Sequence, residues 1–264
     1  MRTFAVNEVS LRIGGVDALR EVSLQVEPAE TVGLIGPNGA GKTSLINCVT
    51  GVYRYQRGSV YLGTEDLSHR PPHVIAGAGI ARTFQQANLV FGLTVAENLL
   101  LARHSRMSNG LWRDALSCGR FSREERESRA YVDELLGWLN IDSLAEREVD
   151  RLSLWEQKQV VVARALASEP SVVLFDEPAA GLSGDEKEHL LEVLARVRDE
   201  LKIGELVVEH DLSFVTSLCG RVIVLFLGSQ LAEGMPREVL ARTDVVEAYL
   251  GGVAYGGNDP DDPL

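Results

Sequence analysis

A glycine-rich segment at residues 36–43 has the residue types that bind phosphate. It fits the pattern G-x-x-x-x-G-K-[ST] with Gly36, Pro37, Asn38, Gly39, Ala40, Gly41, Lys42 and Thr43, followed by Ser44. Glycines let consecutive backbone N–H groups converge on an anion, and the start of a helix adds partial positive charge. In this pattern the lysine reaches the β- and γ-phosphates of a nucleotide, and the hydroxyl ligates Mg²⁺. We therefore predict a nucleotide site that uses residues 36–44; an ordinary glycine-rich turn is the alternative.

Two carboxylates, Asp176 and Glu177, directly follow an apolar run at residues 172–175 that is typical of a strand in a buried parallel sheet. An acidic side chain at the end of such a strand can hold Mg²⁺ beside a phosphate loop, and Asp176 fits this role. Glu177 would point toward the γ-phosphate and activate the attacking water, a general-base contribution of about 10²–10⁴-fold in rate. Two solvated carboxylates without a role are the alternative, which the phosphate-binding segment disfavours.

His210 comes at the end of a further predicted strand, residues 206–208, after Glu209. Open α/β sheets gather their ligands at the carboxyl ends of strands, so a histidine there can contact the γ-phosphate and orient the water. A solvated loop histidine is the alternative. We assign no role to the remaining histidines, at positions 69, 73, 104 and 189.

The segments around these residues have alternating strand and helix patterns. Residues 31–35 read as a short buried strand before the phosphate-binding segment, and residues 44–49 as a helix that ends near Gly51. Residues 3–13 and 19–27 alternate apolar and polar side chains, as in a sheet with one covered face. Further strands are predicted near 59–62, 172–175, 206–208 and 222–227, with helices at 70–78 and 185–202 and two short ones after them. We predict a single α/β domain over residues 3–250.

Residues 87–150 have a helical character that interrupts this pattern. Capping boxes are predicted at residues 94–97 and 122–125, and Leu135, Leu136 and Leu139 form an apolar stripe on the second helix. We predict an inserted helical lobe here. The tail at 251–264, with Gly, Asn, Asp and Pro, is predicted to be disordered.

The composition limits the possible partners. Apolar residues make up 45% of the chain and charged residues 24%, which is ordinary for a soluble globular protein. A net charge of −12 argues against nucleic acid as the main ligand. The three cysteines, Cys48, Cys118 and Cys219, lack metal-ligand spacing and indicate reduced intracellular thiols. Neither a secretory signal nor an apolar run long enough to span a bilayer is present, so membrane attachment is expected through a partner.

These motifs together resemble the ATPase subunit of an ABC transporter over residues 3–250. The phosphate-binding segment, Gln85 after a strand, the Asp176–Glu177 pair and residues 178–182 and 209–211 occur in the family's order and spacing. The resemblance implies a P-loop NTPase fold of ABC type, with N-terminal antiparallel strands and an inserted α-helical lobe, and ATP as substrate with Mg²⁺. It also implies that Gln85 senses Mg²⁺ and the water and couples the site to a membrane subunit. A loop of Ala180, Gly181, Leu182 and Ser183 would cross to a second ATPase subunit.

Four stretches are similar to branched-chain amino-acid importers in particular. They are residues 35–43, 81–85, 176–182 and 249–251. This resemblance implies a subunit that powers import of branched-chain or other amino acids. Its partners would be transmembrane permease subunits, a second ABC ATPase subunit and, indirectly, an extracytoplasmic substrate-binding protein. The expected location is the cytoplasmic side of the cell membrane, peripheral through the permease.

Two positions depart from the family pattern. An aromatic residue usually stacks on adenine just before a Gly-Gly pair, and this chain has Ile13 there. The signature that normally reads Leu-Ser-x-Gly-Gln is Leu152, Ser153, Leu154, Trp155 and Glu156.

The signature departure has consequences for pairing. In the family, each signature closes over the ATP held by the other subunit, and its glycine allows close approach to the γ-phosphate. We therefore predict an asymmetric pair in which this chain's own site is active and its signature closes the partner's site weakly. Two functions other than powering an importer stay open: a regulatory subunit that binds nucleotide with weak or no hydrolysis, and a soluble ABC ATPase without a permease.

Overall fold

The structure, a computed structural model, describes residues 2–83, 89–104 and 118–255, apart from the side chains of residues 104, 118–123 and 251–255. The strands are, in chain order, β1 (Phe4–Ile13), β2 (Val16–Val26), β3 (Thr31–Ile35), β4 (Arg57–Leu62), β5 (Glu65–Asp66), β6 (Ile80–Thr83), β7 (Val172–Asp176), β8 (Gly204–Val208), β9 (Arg221–Phe226) and β10 (Ser229–Gly234). The helices are α1 (Lys42–Val49), α2 (Pro72–Ala78), α3 (Val95–His104), α4 (Cys118–Trp138), α5 (Leu154–Ala167), α6 (Gly184–Leu201), α7 (Leu212–Leu218), α8 (Pro236–Leu240) and α9 (Thr243–Tyr255).

A central sheet has the strand order β10-β9-β3-β8-β7-β6. Its strands from β9 to β6 are parallel, and β10 pairs antiparallel with β9. The parallel strands are almost entirely buried, because helices and a second sheet cover both faces. Because β3, β7 and β8 are parallel, the segments that follow them leave the sheet at the same end, the carboxyl ends of the strands. The phosphate loop, the two carboxylates and His210 lie in these segments. The predicted α/β fold is confirmed.

A second sheet, β2-β1-β4-β5, is antiparallel and lies over one face of the central sheet. Between the two sheets, the side chains of Phe4, Leu34, Leu45 and Leu62 are fully buried. The alternation of apolar and polar residues in the first 26 residues reflects this one covered face. Because α1 also packs into this core, the helix that follows the phosphate loop is held by buried Leu45 and Ile46.

A second core covers the opposite face of the central sheet and extends into the region of α3, α4 and α5. It includes Phe175 of the sheet and the predicted stripe of Leu135, Leu136 and Leu139, all of which are buried. A bridge between Thr94 and Glu148 joins the beginning and the end of this helical region. These helices lie where the inserted lobe, residues 87–150, is predicted.

Two local predictions differ from the structure. The capping box at residues 122–125 is wrong, because α4 begins at Cys118 and Ser122 is already within the helix, whereas a capping residue needs non-helical backbone. The predicted disordered tail is helical at residues 251–255, because α9 continues past Gly251 and Gly252 to Tyr255. Residues 256–264 lie outside the described part of the chain. Among the described residues, no helix has the length and apolar character needed to cross a membrane.

Candidate active site

The phosphate loop, residues 36–41, connects buried β3 directly to α1. Glycine is required at its first and last positions. At Gly36 φ is 145°, and an added Cβ would lie 2.2 Å from the carbonyl oxygen of Leu225. At Gly41 φ is 107°, and an added Cβ would lie 2.8 Å from the carbonyl oxygen of Ala18. Only glycine fits both the backbone conformation and the close approach, so the loop can turn sharply between a strand and a helix.

Lys42 is the first residue of α1, and only 6% of its surface is exposed. Its Nζ donates hydrogen bonds to the carbonyl oxygens of Gly36 at 2.7 Å and Pro37 at 3.0 Å, so the ammonium lies over its own loop. Burial lowers the pKa of Lys42, while the carboxylates of Glu177 and Asp176 act in the opposite direction. The lysine is thus held within a cluster of opposite charge at the carboxyl ends of the strands.

Glu177 and His210 meet at the ends of β7 and β8. His210 Nε2 lies 3.0 Å from Glu177 Oε1, within hydrogen-bond distance. Glu177 has a left-handed backbone, φ 50°, which costs a residue with a side chain roughly 1–2 kcal/mol. Its backbone N–H donates to the carbonyl oxygen of Val208 at 2.9 Å, which holds this conformation against β8. The sequence predicts a catalytic role for each of the two side chains separately, and the structure brings them within hydrogen-bond distance of each other.

Two residues that sequence reasoning did not single out as site residues hold this pair in place. Glu209 is 3% exposed, and its carboxylate accepts the backbone N–H groups of Ala179 at 2.7 Å and His210 at 3.1 Å. It therefore ties the segment after β7 to the segment after β8. Lys158 of α5 donates to the carbonyl oxygen of Glu177 at 3.2 Å. The Glu209–His210–Asp211 motif was the only sequence signal for this arrangement.

Asp211 anchors the segment after His210. It caps α7 by accepting the backbone N–H groups of Ser213 at 3.1 Å and Phe214 at 3.2 Å. It also accepts a hydrogen bond from Lys187 Nζ at 2.7 Å. The lysine, together with the capping donors, holds the pKa of Asp211 well below its usual range. His210 is thus fixed between a buried carboxylate and a charged helix cap.

A cavity of about 620 Å³ lies over the phosphate loop. Its walls are formed by the phosphate loop and α1, by Glu177 and His210, by the beginning of β2 and by the β9–β10 turn. The lining residues are Val16, Asp17, Ala18, Arg20, Asn38, Gly39, Ala40, Gly41, Lys42, Thr43, Ser44, Glu177, His210, Leu227 and Gly228. Ile13, the predicted adenine contact, is 48% exposed and pairs with Val16 across the turn, but Val16 is the one that lines the cavity.

Asp176 and Thr43 are the residues of the described site that fit Mg²⁺. Asp176, at the end of β7, accepts a hydrogen bond on Oδ2 from Arg82 Nη2 at 2.9 Å. Thr43 is exposed and lines the cavity. Among the described residues, no group of three or more His, Cys, Asp or Glu side chains could hold a metal. One hydroxyl and one carboxylate suit a hard cation that arrives with phosphate oxygens as its remaining ligands. The third predicted ligand, Gln85, lies outside the described residues.

The degenerate signature forms the N-terminus of α5. Ser153 caps the helix by accepting the N–H of Glu156 at 3.2 Å, and Glu156 Oε2 accepts the N–H of Ser153 at 2.7 Å. These contacts with Ser153, assisted by Arg147, lower the pKa of Glu156, so its carboxylate is charged at neutral pH. Leu152 is buried, whereas Leu154 is 50% exposed. Trp155 is half-buried, with its ring centroid 6.3 Å from that of His189 in α6.

The predicted crossing loop, Ala180 to Ser183, lies beside this signature. Ala180, Gly181 and Ser183 are exposed, and Leu182 is buried. Gly181 has φ 80°, and an added Cβ would lie 3.1 Å from Leu154 Cδ2. Ser183 opens α6 with its own capping box. The loop and the signature therefore form one continuous exposed surface.

Comparison with known proteins agrees with this geometry. A family model described as ABC transporter matches residues 19–180. The high-affinity branched-chain amino acid transport ATP-binding protein BraF of Pseudomonas aeruginosa is 36% identical over 246 residues, which cover 93% of this chain and 96% of that protein. The corresponding LivG protein of Escherichia coli is 37% identical over 250 residues, covering 94% of this chain and 97% of that protein.

Solved structures point the same way. The crystal structure of the ADP conformation of MJ1267, an ATP-binding cassette of an ABC transporter, has a TM-score of 0.83 and 30% identity, and the match covers 95% of this chain and 99% of that one. A nucleotide-free ATP-binding cassette from an ABC transporter has a TM-score of 0.81 at 29% identity, covering 94% of this chain and 98% of that one. The chain belongs to the ABC transporter family, as one of its ATP-binding and ATP-hydrolysing subunits.

Proposed function

We propose that this ATPase powers the import of branched-chain or other amino acids through transmembrane permease subunits. The cargo is suggested by the BraF and LivG relatives, which are ATP-binding proteins of branched-chain amino acid transport. The observation that carries the ATPase role is the 3.0 Å contact between His210 and Glu177, on the wall of the cavity over the phosphate loop. A general base and its orienting partner face the place where the loop would hold a triphosphate.

In this proposal the backbone N–H groups of the phosphate loop hold the β- and γ-phosphates of ATP, and Lys42 contacts both. Thr43 and Asp176, with Gln85, would hold Mg²⁺. When bound, that ion neutralises the charge that develops on the phosphates. Glu177 accepts the proton of the attacking water, while His210 orients the carboxylate and contacts the γ-phosphate. Val16 and Leu227, on the cavity walls, replace aromatic stacking with aliphatic packing against the base, beside Ile13.

The second ATPase subunit is proposed to be a different protein. If two copies of this chain paired, each γ-phosphate would face the N-terminus of α5, where the family glycine is Trp155. Glu156 there carries a charge that Arg147 pairs with at 2.5 Å, so the main obstacle to close approach is the bulk of Trp155. A partner with an intact signature would close the site of Lys42, Glu177 and His210 fully. The crossing loop at residues 180–183 belongs to the same paired surface.

The permease is proposed to bind beside β6 and the helical region. A groove of about 400 Å³ is bounded by α2, α3, α5 and β6, and Val52 and Leu101 on its rim are about half exposed. The chain continues from β6 to Gln85, so a permease segment in this groove would adjoin the Mg²⁺ ligands. This binding mode would place the subunit at the cytoplasmic face of the membrane, with an extracytoplasmic binding protein supplying the cargo.

Reconstitution tests this function. The chain is co-expressed with a second ABC ATPase, permease subunits and a binding protein of a branched-chain amino-acid importer from the same genome, and the complex is placed in lipid vesicles. We expect ATP turnover that depends on the mixture, together with uptake of leucine, isoleucine or valine. A complex that contains Lys42→Ala should lose uptake while it still assembles. Vigorous hydrolysis by the lone chain would contradict the asymmetric pair, and ATP-driven uptake of an unrelated cargo would contradict the amino-acid assignment.

The degenerate signature favours one second candidate, a regulatory subunit that binds nucleotide without hydrolysing it. The two functions differ in the nucleotide that stays on this chain during turnover. A photo-crosslinking ATP analogue labels each subunit during a single turnover, and the reaction is then quenched with acid. If this chain hydrolyses ATP, the analogue attached to it should be a diphosphate. Only triphosphate would be found on it if it regulates.

A further inference from the structure

Arg82 is a buried cation that joins three elements at the edge of the active site. It lies on β6, and its side chain is 9% exposed. Nη2 donates to Asp176 Oδ2 at 2.9 Å, at the end of β7, and Nη1 donates to Asn47 Oδ1 at 2.8 Å, in α1. The same guanidinium therefore contacts the proposed metal ligand and the helix that carries Lys42 and Thr43.

The charge of Arg82 balances that of Asp176. A guanidinium remains protonated in proteins, and Asp176 is itself only 8% exposed. A carboxylate buried to this extent needs a positive partner, because unpaired charge is costly away from water. Among the described residues no hydrogen bond reaches the other carboxylate oxygen, Oδ1, so one oxygen carries the arginine and the other remains for a metal.

A metal ion at Asp176 would share this carboxylate with the guanidinium. Two cations on one carboxylate repel each other, and the repulsion is only weakly screened at a site with little solvent. The presence of Arg82 must therefore weaken the binding of a divalent ion compared with the same carboxylate alone. In the metal-free site, Arg82 compensates the negative charge of Asp176.

We infer that Arg82 is a positioning residue that serves as the counter-cation of Asp176 in the metal-free site and thereby raises the Mg²⁺ concentration needed for nucleotide binding. The inference rests on the proposed roles of Asp176 and Thr43. Asn47 holds the guanidinium against α1, so Arg82 stays at Oδ2 of Asp176 while a divalent ion would approach Oδ1 beside the phosphate loop.

The experiment measures nucleotide binding by the purified full chain, without any turnover. Trinitrophenyl-ATP is titrated with Mg²⁺, and the Mg²⁺ concentration at half-maximal fluorescence is compared between wild type, Arg82→Met and Arg82→Lys. We expect the midpoint of Arg82→Met to fall by about ten-fold or more, because the competing charge is gone. The midpoint of Arg82→Lys should stay within about three-fold of wild type, since lysine keeps the charge.

Two controls separate charge from folding. Arg82→Gln is also neutral but keeps an amide donor for Asn47, and it should lower the midpoint as Arg82→Met does. Arg103→Met removes an arginine that pairs with Glu169 at 2.6 Å in the helical region, and it should leave the midpoint unchanged. An unchanged or higher midpoint in both neutral variants of Arg82 overturns the inference, whatever their melting temperatures. Failure of the wild-type chain to bind the nucleotide with Mg²⁺ would instead count against the proposed function.

Discussion

Glu205 makes the stability of this protein depend on pH in a defined direction. It lies in β8 and is fully buried, with the Thr31 hydroxyl donating to its Oε2 at 2.5 Å. Its other oxygen has no hydrogen-bond partner among the described residues. Burial raises the pKa of Glu205 to about 8, although Thr31 and Arg198 oppose this shift. The group is therefore neutral in the folded protein over a range where it is ionised in the unfolded chain.

The size of the effect follows from this difference in pKa. Between the ordinary pKa of 4.5 and the folded value of about 8, the folded protein binds more protons than the unfolded chain. The free energy of unfolding therefore falls as pH rises, by up to about 1.4 kcal/mol per pH unit. The full contribution is present below pH 4.5 and is lost by about pH 8. From about pH 5 to about pH 8 the loss amounts to roughly 3 kcal/mol.

Glu205→Gln removes this titration and keeps an acceptor for Thr31. We expect the free energy of unfolding of the variant, relative to wild type, to rise by roughly 3 kcal/mol between about pH 5 and about pH 8. Urea denaturation at several pH values measures this difference, and other titrating groups cancel in it. Glu188→Gln, at an exposed position of α6, is the matched control and should follow wild type. Parallel pH profiles of Glu205→Gln and wild type would refute the reasoning.

Three further predictions follow from the site and its supports. His210→Ala should lower ATP turnover of the assembled complex by about 10²-fold, because Glu177 loses its orienting partner, and leave nucleotide binding nearly unchanged; equal losses of both would contradict its role. Trp155→Gly combined with Glu156→Gln should give the lone chain measurable phosphate release, and no gain would contradict the signature argument. Asn98→Ala should lower the free energy of unfolding by about 2–4 kcal/mol, because the buried Asn98 side chain forms hydrogen bonds with the backbone of Val90 and Thr94. Urea denaturation measures the change, and a loss under about 1 kcal/mol would contradict this role of Asn98.

The sequence predicted the parts of this protein whose structure is set locally. Residues 172–175 are a continuous apolar run and residues 31–35 are mostly apolar, and both segments are buried strands. The capping box predicted at residues 94–97 forms, because it needs only two residues three positions apart. The fold class and the family follow from these elements and from the motifs between them.

Contacts between distant segments could not be predicted in the same way. Glu209 bonds Ala179, and Arg82 bonds Asp176, only because β7 lies between β8 and β6 in the sheet. Strand order is not encoded by the spacing of residues along the chain. Val16, and not Ile13, lines the cavity although the two residues pair across the β1–β2 hairpin, and this difference depends on how the hairpin lies over the phosphate loop.

The most direct measurement of the central claim is phosphate release by the assembled complex with Glu177→Gln in this chain alone. The substitution keeps the size and hydrogen-bonding capacity of the side chain but removes the general base. If this chain's site hydrolyses ATP, turnover should fall by about 10²-fold or more while the complex still binds ATP. Turnover that remains at the wild-type rate would show that Glu177, His210 and Lys42 do not form a hydrolytic site.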